Sequence, residues 1–164
     1  METAPLPPSR IYELTHLWVT EAVRQSYALS SCRREPTTAE LGAHRGLMMC
    51  RRLEPSNLIV LMSYIDPAAT LRQDGDRQGA DDGAGALLKL LALANAKLAA
   101  PHELMSLFTL AKPFTAGNGR CGRALWLWLA LHGSEAEFAA IMSAGVPFRP
   151  ATRDSVEKRT PARH

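Results

Sequence analysis

The sequence predicts an all-α domain, on three observations. Apolar residues make up 46% of the 164-residue chain and aromatics only 6%; the apolar share is rich in Leu and Ala, which favour helix. Apolar positions recur at helical rather than alternating spacing through most of the chain. Helix-opening and helix-closing residues bracket those segments: Thr37 with Glu40, Pro101, Gly133, and Ser134 with Glu137. A chain of this length is one domain and can bury a core. It divides into a loose Pro-rich start (1–10), a helical body (11–146) and a polar, Arg-rich flexible tail (147–164).

In the first helix, from 11 to about 29, Ile11, Leu14, Leu17, Trp18 and Ala22 recur at helical spacing. Pro36 disfavours α conformation at Glu35, so the helix stops near there. Thr37 and Glu40 form a capping box for a second helix, lined on its inner face by Leu41, His44, Leu47 and Met48. His44, on that apolar face, reads as a core histidine. A short apolar helix covers 55–65, with Leu58, Ile59, Leu61, Met62 and Ile65. Residues 66–85 are rich in Gly and Asp, with no large apolar residue after Leu71, and read as a loop. Asp74, Asp76, Asp81 and Asp82 within it do not keep the spacing of a calcium loop.

From 86 to 99 a Leu-rich helix is expected to be buried over most of its circumference. Pro101 suits the first turn of the next helix, which reaches about 111 and presents Leu104, Leu107, Phe108 and Ala111. Residues 121–132 are hydrophobic nearly all round, the pattern of a central buried helix stopped by Gly133. Trp126 and Trp128 on it read as packing residues. A last helix opens at Ser134 with Glu137, covers Phe138, Ile141 and Met142, and closes at Gly145.

Composition excludes several classes of function. The net charge of +3, from 19 basic and 16 acidic residues, is too small and too scattered to point to nucleic acid. Cys32, Cys50 and Cys121 show no metal-ligand spacing and read as free thiols of a reducing cytosol. No apolar run approaches the roughly 18 residues of a membrane span. The start lacks the basic-then-apolar order of a signal peptide, so a cytoplasmic location is expected.

The stretch with chemical content is Lys112-Pro113-Phe114-Thr115-Ala116-Gly117-Asn118-Gly119-Arg120-Cys121-Gly122-Arg123. It reads as a tight glycine loop opening the buried helix. Gly117 and Gly119 allow positive φ and close approach of another molecule. The first N–H groups of a helix lack intrahelical partners and carry the positive end of its dipole, which makes such a loop an anion site. Arg120 and Arg123, three residues apart, can face the same anion. An Asn-Gly turn with two solvated arginines is the plainer alternative for these four residues taken alone.

The longer string resembles the signature loop of the Fic (Fido) domain family, written His-Pro-Phe-x-Asp/Glu-Gly-Asn-Gly-Arg-x-x-Arg. Pro113, Phe114, Gly117, Asn118, Gly119, Arg120 and Arg123 match it, while Lys112 stands in place of the catalytic His and Ala116 in place of the acidic metal ligand. The resemblance covers roughly 20–145 and is specific only over 112–123. It implies a Fic-like helical bundle around a central helix, with a small β-hairpin flap as an option over 70–78, turning at Asp74-Gly75; the residues themselves favour a plain loop. It implies an AMP transferase from ATP to a protein hydroxyl, with Phe114, Gly117, Asn118, Gly119, Arg120 and Arg123 on the nucleotide. It also implies that Ser31 and Glu35 stand where the family carries an inhibitory helix, Glu35 pairing with Arg123, although Pro36 replaces the family's Gly or Asn. His44 falls where the family places an early histidine.

The two departures bear on the chemistry. A base must take the hydroxyl proton, and a lysine with an ordinary pKa of about 10.4 is charged at pH 7 and has no lone pair to accept it. Ala116 can hold no Mg²⁺, which removes a Lewis-acid clamp. AMP transfer by the family route is therefore expected to be weak or absent. Phosphate binding is expected to persist on the loop N–H groups, the two guanidinium groups and the Lys112 charge. The expectation is a catalytically impaired, nucleotide-binding member that works through a target or regulatory protein, with ATP or another nucleotide as ligand. Two alternatives stand: an active transferase using an atypical base, and an interaction module that binds no nucleotide.

Overall fold

In the computed structural model, residues 4–30, 32, 34–73 and 81–143 are described. They form an all-helical bundle of seven helices: α1 (Pro8–Leu29), α2 (Thr38–Met49), α3 (Pro55–Ile65), α4 (Gly83–Asn95), α5 (Pro101–Ala111), α6 (Asn118–Leu131) and α7 (Glu135–Ser143). Ser31, the Asp74-Gly75 turn, Asp76, Gly145 and the 147–164 tail lie outside the described residues.

α6 is the axis of the bundle, and α1, α2, α3, α5 and α7 pack against it. Cys121, Gly122 and every residue from Ala124 to Leu131 are buried, Arg123 being the partly exposed exception. Fully burying an aliphatic or aromatic side chain contributes about 1.5–3 kcal/mol, so this helix anchors the fold. Trp126 and Trp128 are almost inaccessible, as packing residues should be, and the Trp128 indole N–H donates to Cys50 O at 2.8 Å. Gly122 lets α5 come close: a Cβ there would lie 3.5 Å from Met105 O and 3.6 Å from Phe108 Cβ.

The caps follow the sequence. The Thr37 hydroxyl accepts from Glu40 N at 3.2 Å, and the Glu40 carboxylate accepts from Thr37 N at 2.7 Å. Ser134 and Glu137 repeat the arrangement at 3.1 and 2.7 Å. α4 opens three residues before the position expected from its leucines, because the Asp82 carboxylate accepts from Gly85 N at 2.7 Å.

Three local expectations need correction. Leu17 is 71% exposed, because the buried stripe of α1 runs through Ile11, Leu14, Thr15, Val19, Ala22, Val23, Ser26 and Tyr27 and leaves Leu17 on the opposite side. α4 is buried on one face only, and Leu88 is exposed. Part of the start expected to be loose is built in: Leu6 is buried and its N–H donates to Gly133 O at 3.2 Å. Pro7 and Pro8 then lead into α1 with φ already set for a first turn. The optional flap over 70–78 lies largely outside the described residues, and residues 70–73 form no strand, in keeping with the plain loop the residues favour. Thr70–Arg72 instead lies as single backbone links against the glycine loop, with Leu71 and Phe114 in an isolated antiparallel bridge.

Candidate phosphate site at the mouth of α6

The loop between α5 and α6 is shaped by backbone demands. Lys112 ends α5 in the left-handed region (φ 46°, ψ 64°) and its N–H donates to Phe108 O at 3.0 Å. Phe114 turns inward, 3% exposed, and stacks on Phe108 with centroids 6.5 Å apart. The Asn118 side chain closes the loop: its Oδ1 accepts from Phe114 N at 3.0 Å and its Nδ2 donates to Phe114 O at 2.7 Å. Gly117 has φ 71°, and a Cβ there would meet Met62 Cε at 2.7 Å. Phe114 and Asn118, expected on a ligand, are thus the core anchor and the clasp of the loop, while Thr115 and Ala116 between them are exposed.

Three residues not singled out as site residues hold this loop from outside. Arg72 Nε donates to Lys112 O at 3.1 Å, and its Nη2 donates to Ala111 O at 3.3 Å and Asp81 O at 2.8 Å. A guanidinium on the last carbonyls of α5 complements the negative end of that helix. Arg72 N also donates to Pro113 O at 2.8 Å, and Gly83 N to Arg72 O at 2.7 Å, so three segments cross at Gly83. The third residue is Thr70, whose O accepts from Thr115 N at 2.9 Å and whose N–H donates to Thr115 Oγ1 at 3.1 Å. None of these contacts leaves a local sequence signal, because each joins segments far apart in the chain.

α6 begins at Asn118 with Gly117 as its cap residue and no side-chain cap. Its mouth therefore keeps the positive character of an open helix N-terminus. The two arginines share this end and differ in environment. Arg120 donates to Ile65 O at 2.9 Å and to the Asp66 carboxylate at 3.2 Å, and its guanidinium lies 5.4 Å from the Tyr27 ring centroid. Asp66 Oδ2 also lies 3.7 Å from the place of a Cβ on Gly117, so the chain sets its own carboxylate at the mouth.

Arg123 has no such partner. Its Nε donates to Ser26 Oγ at 2.8 Å, and its Nη2 to Ser26 O at 2.8 Å and to Ser30 Oγ. All three are neutral, and no carboxylate pairs with it among the described residues. Burial, then the neighbouring Arg120 charge, lowers its pKa to about 10. Arg123 and Gly119 line an open groove of about 470 Å³ whose other polar walls are Ser106 and Thr109. A Cβ on Gly119 would sit 3.2 Å from Arg123 Nη1, so this glycine gives the guanidinium its room.

The remaining candidates lie elsewhere. Lys112 and Ala116 are exposed on the loop surface. Glu35 pairs with Arg24 at 2.7 Å, not with Arg123, and is largely exposed; the inhibitory pairing implied by the resemblance is not made, because the serines at the end of α1 take the Arg123 donors. His44 is 2% exposed, its Nδ1 bonded to Glu40 O at 2.7 Å and its pKa pushed down by burial, as for a core histidine.

A charged cluster stiffens the ground under Arg120. Tyr27, 1% exposed, has the Arg120 and Arg34 guanidinium groups 5.4 and 5.5 Å from its ring centroid, and Arg34 grips the nearly inaccessible Glu40 carboxylate at 2.6 and 2.8 Å. The Arg34 hydrogen bonds, opposed by burial and helped by Thr37 N, hold the Glu40 pKa down at about 2. A depressed carboxylate stabilises the fold above its unfolded pKa and loses that contribution as pH falls through the folded value. Glu40→Gln should therefore cost roughly 2 kcal/mol at pH 7, after allowance for the half-exposed Arg34. Denaturation curves should converge with wild type as pH drops from 4.5 toward 2; a gap constant across that range would rule this out.

Compared with known proteins, the chain matches no protein-family model, no curated protein and no solved structure.

Proposed function

We propose that this domain is a Fic-like phosphate-binding protein, taking ATP or another nucleotide at the mouth of α6 and impaired in AMP transfer, and that it acts through a protein partner. One observation carries the reading: the Arg123 guanidinium is desolvated beside Arg120, is bonded only to neutral groups, and borders an open groove. A cation left in that state gains more from an incoming phosphate than a solvated one. The uncapped first turn of α6 adds backbone donors, with Gly119 in the groove wall. Exposed Leu29 and Leu110 rim the groove and offer apolar contact to a nucleobase or to the partner.

Lys112 and Ala116 support the impaired half of the proposal. Ala116 supplies no carboxylate, Lys112 stands in place of the family's His, and His44, 2% exposed, is not among the residues that line the groove. Titration calorimetry with ATP, ADP and GTP, with and without Mg²⁺, tests it. Binding should be saturable and indifferent to Mg²⁺. Asp66→Asn removes a carboxylate that competes for Arg120 and should tighten binding about fivefold, the equivalent of roughly 1 kcal/mol for a partly exposed ion pair. No binding at millimolar nucleotide, or weaker binding in Asp66→Asn, would contradict it.

A further inference from the structure

A second cavity, of about 440 Å³, lies at the other end of α6, where the segment leading into α1 crosses the last turn of the axis helix. It exists because Leu6 and Pro5 are tied to Gly133 and Ser134 by backbone contacts while Pro7 and Pro8 steer the chain away into α1. The volume lies within the usual range of small-molecule pockets.

Its floor is apolar: Leu6, Ile11 and Trp128 are 5%, 7% and 2% exposed. The polar atoms beside that floor are already bonded. The Trp128 indole N–H is held by Cys50 O, and His132 stacks on the indole at 4.5 Å with its Nε2 on Met48 O at 2.8 Å. The Asn95 amide is clasped on both sides by the Leu53 backbone at 2.8 Å. What is left for a ligand is hydrophobic surface and two cations, Arg51 and Lys97. Both are exposed, and among the described residues neither forms an ion pair and no acidic side chain lines the cavity. The carboxylate that senses Lys97 is Glu137, which is bonded to Ser134 N and stands outside the lining.

An apolar floor under an uncompensated cationic rim is complementary to one kind of small molecule. We infer that this cavity binds a small amphiphilic anion, a medium-chain carboxylate, with the chain on Leu6, Ile11 and Trp128 and the head group between Arg51 and Lys97. The site is independent of the phosphate site at the opposite end of α6.

The charge can be removed cleanly. Lys97 has φ 53°, a backbone conformation that glycine adopts without strain, so Lys97→Gly deletes the cation at no conformational cost in the folded state. Binding of decanoate, decanol and decyltrimethylammonium should be followed by calorimetry and Trp fluorescence, below their micellar concentrations. Decanoate should bind saturably, about tenfold tighter than decanol, with the cationic analogue weakest. In Arg51→Gln/Lys97→Gly, decanoate and decanol should bind equally, with thermal unfolding confirming that the variant is folded. Absence of saturable decanoate binding, or a carboxylate preference that survives in the double variant, would overturn the assignment. ATP titrations of the same variant should match wild type, which separates this site from the first.

Discussion

Gly83→Ala should lower stability by about 3 kcal/mol or more, roughly 10 °C in melting temperature for a chain of this size. A Cβ at this position would lie 2.1 Å from Pro113 O, 2.5 Å from Arg72 N and 2.9 Å from Arg72 O. All three are backbone atoms, so no side chain can swing away to make room. Relief requires separating the crossing, which breaks the Arg72 N–Pro113 O and Gly83 N–Arg72 O hydrogen bonds and uncovers backbone groups beside the glycine loop. Because Pro113 belongs to that loop, phosphate binding should weaken along with the fold.

Gly42→Ala and Gly46→Ala provide the contrast. Both positions are exposed inside α2, with no heavy atom within 4 Å of a new Cβ, so each should gain about 0.5–1 kcal/mol. Thermal and urea denaturation of the three variants would decide between them. A Gly83→Ala protein as stable as wild type would mean that the crossing is not as described.

The contrast also shows what a sequence can and cannot convey. Nothing in Gly83-Ala84-Gly85 separates the residue that admits no Cβ from its neighbour, since the obstruction comes from Arg72 and Pro113, remote in the chain. Features encoded within one turn were readable: the Thr37–Glu40 and Ser134–Glu137 boxes, Pro101 at the start of α5, and α6 as a helix apolar nearly all round. α1 was readable as a helix but not in its phase, because Leu17 matches its neighbours in hydrophobicity and only the bundle decides which side is inside. At the site, a glycine loop leading into α6 was readable, but the helix opens at Asn118, three residues before the expected start at Cys121. The clasp made by Asn118, the Asp66 carboxylate on Arg120 and the serines on Arg123 were not readable, because each partner is chosen by tertiary packing.

Arg123→Gln carries the second large effect: loss of phosphate binding with little change in stability. Among the described residues the guanidinium pairs with no carboxylate and it borders the groove, so removing it takes away much of the attraction for an anion there. Charge-assisted hydrogen bonds of this type contribute about 1.5–3 kcal/mol, or roughly 10- to 100-fold in affinity. Stability should respond differently. A basic group whose folded pKa is depressed is penalised by folding wherever it is charged, at every pH below its folded value, so its neutral replacement relieves a cost at pH 7. The lost hydrogen bonds to Ser26, about 1 kcal/mol each, offset that relief. The net change should stay within about 1 kcal/mol. A residue that binding requires and the fold tolerates losing is marked as functional rather than structural.

Calorimetric titration of ATP into the wild-type and Arg123→Gln proteins at pH 7, paired with their unfolding curves, separates these roles. Saturable binding to the wild type, lost or weakened at least tenfold in a variant of equal stability, is the expected result. Equal ATP affinity in the two proteins, or no binding to either, would show that the mouth of α6 is not a phosphate site.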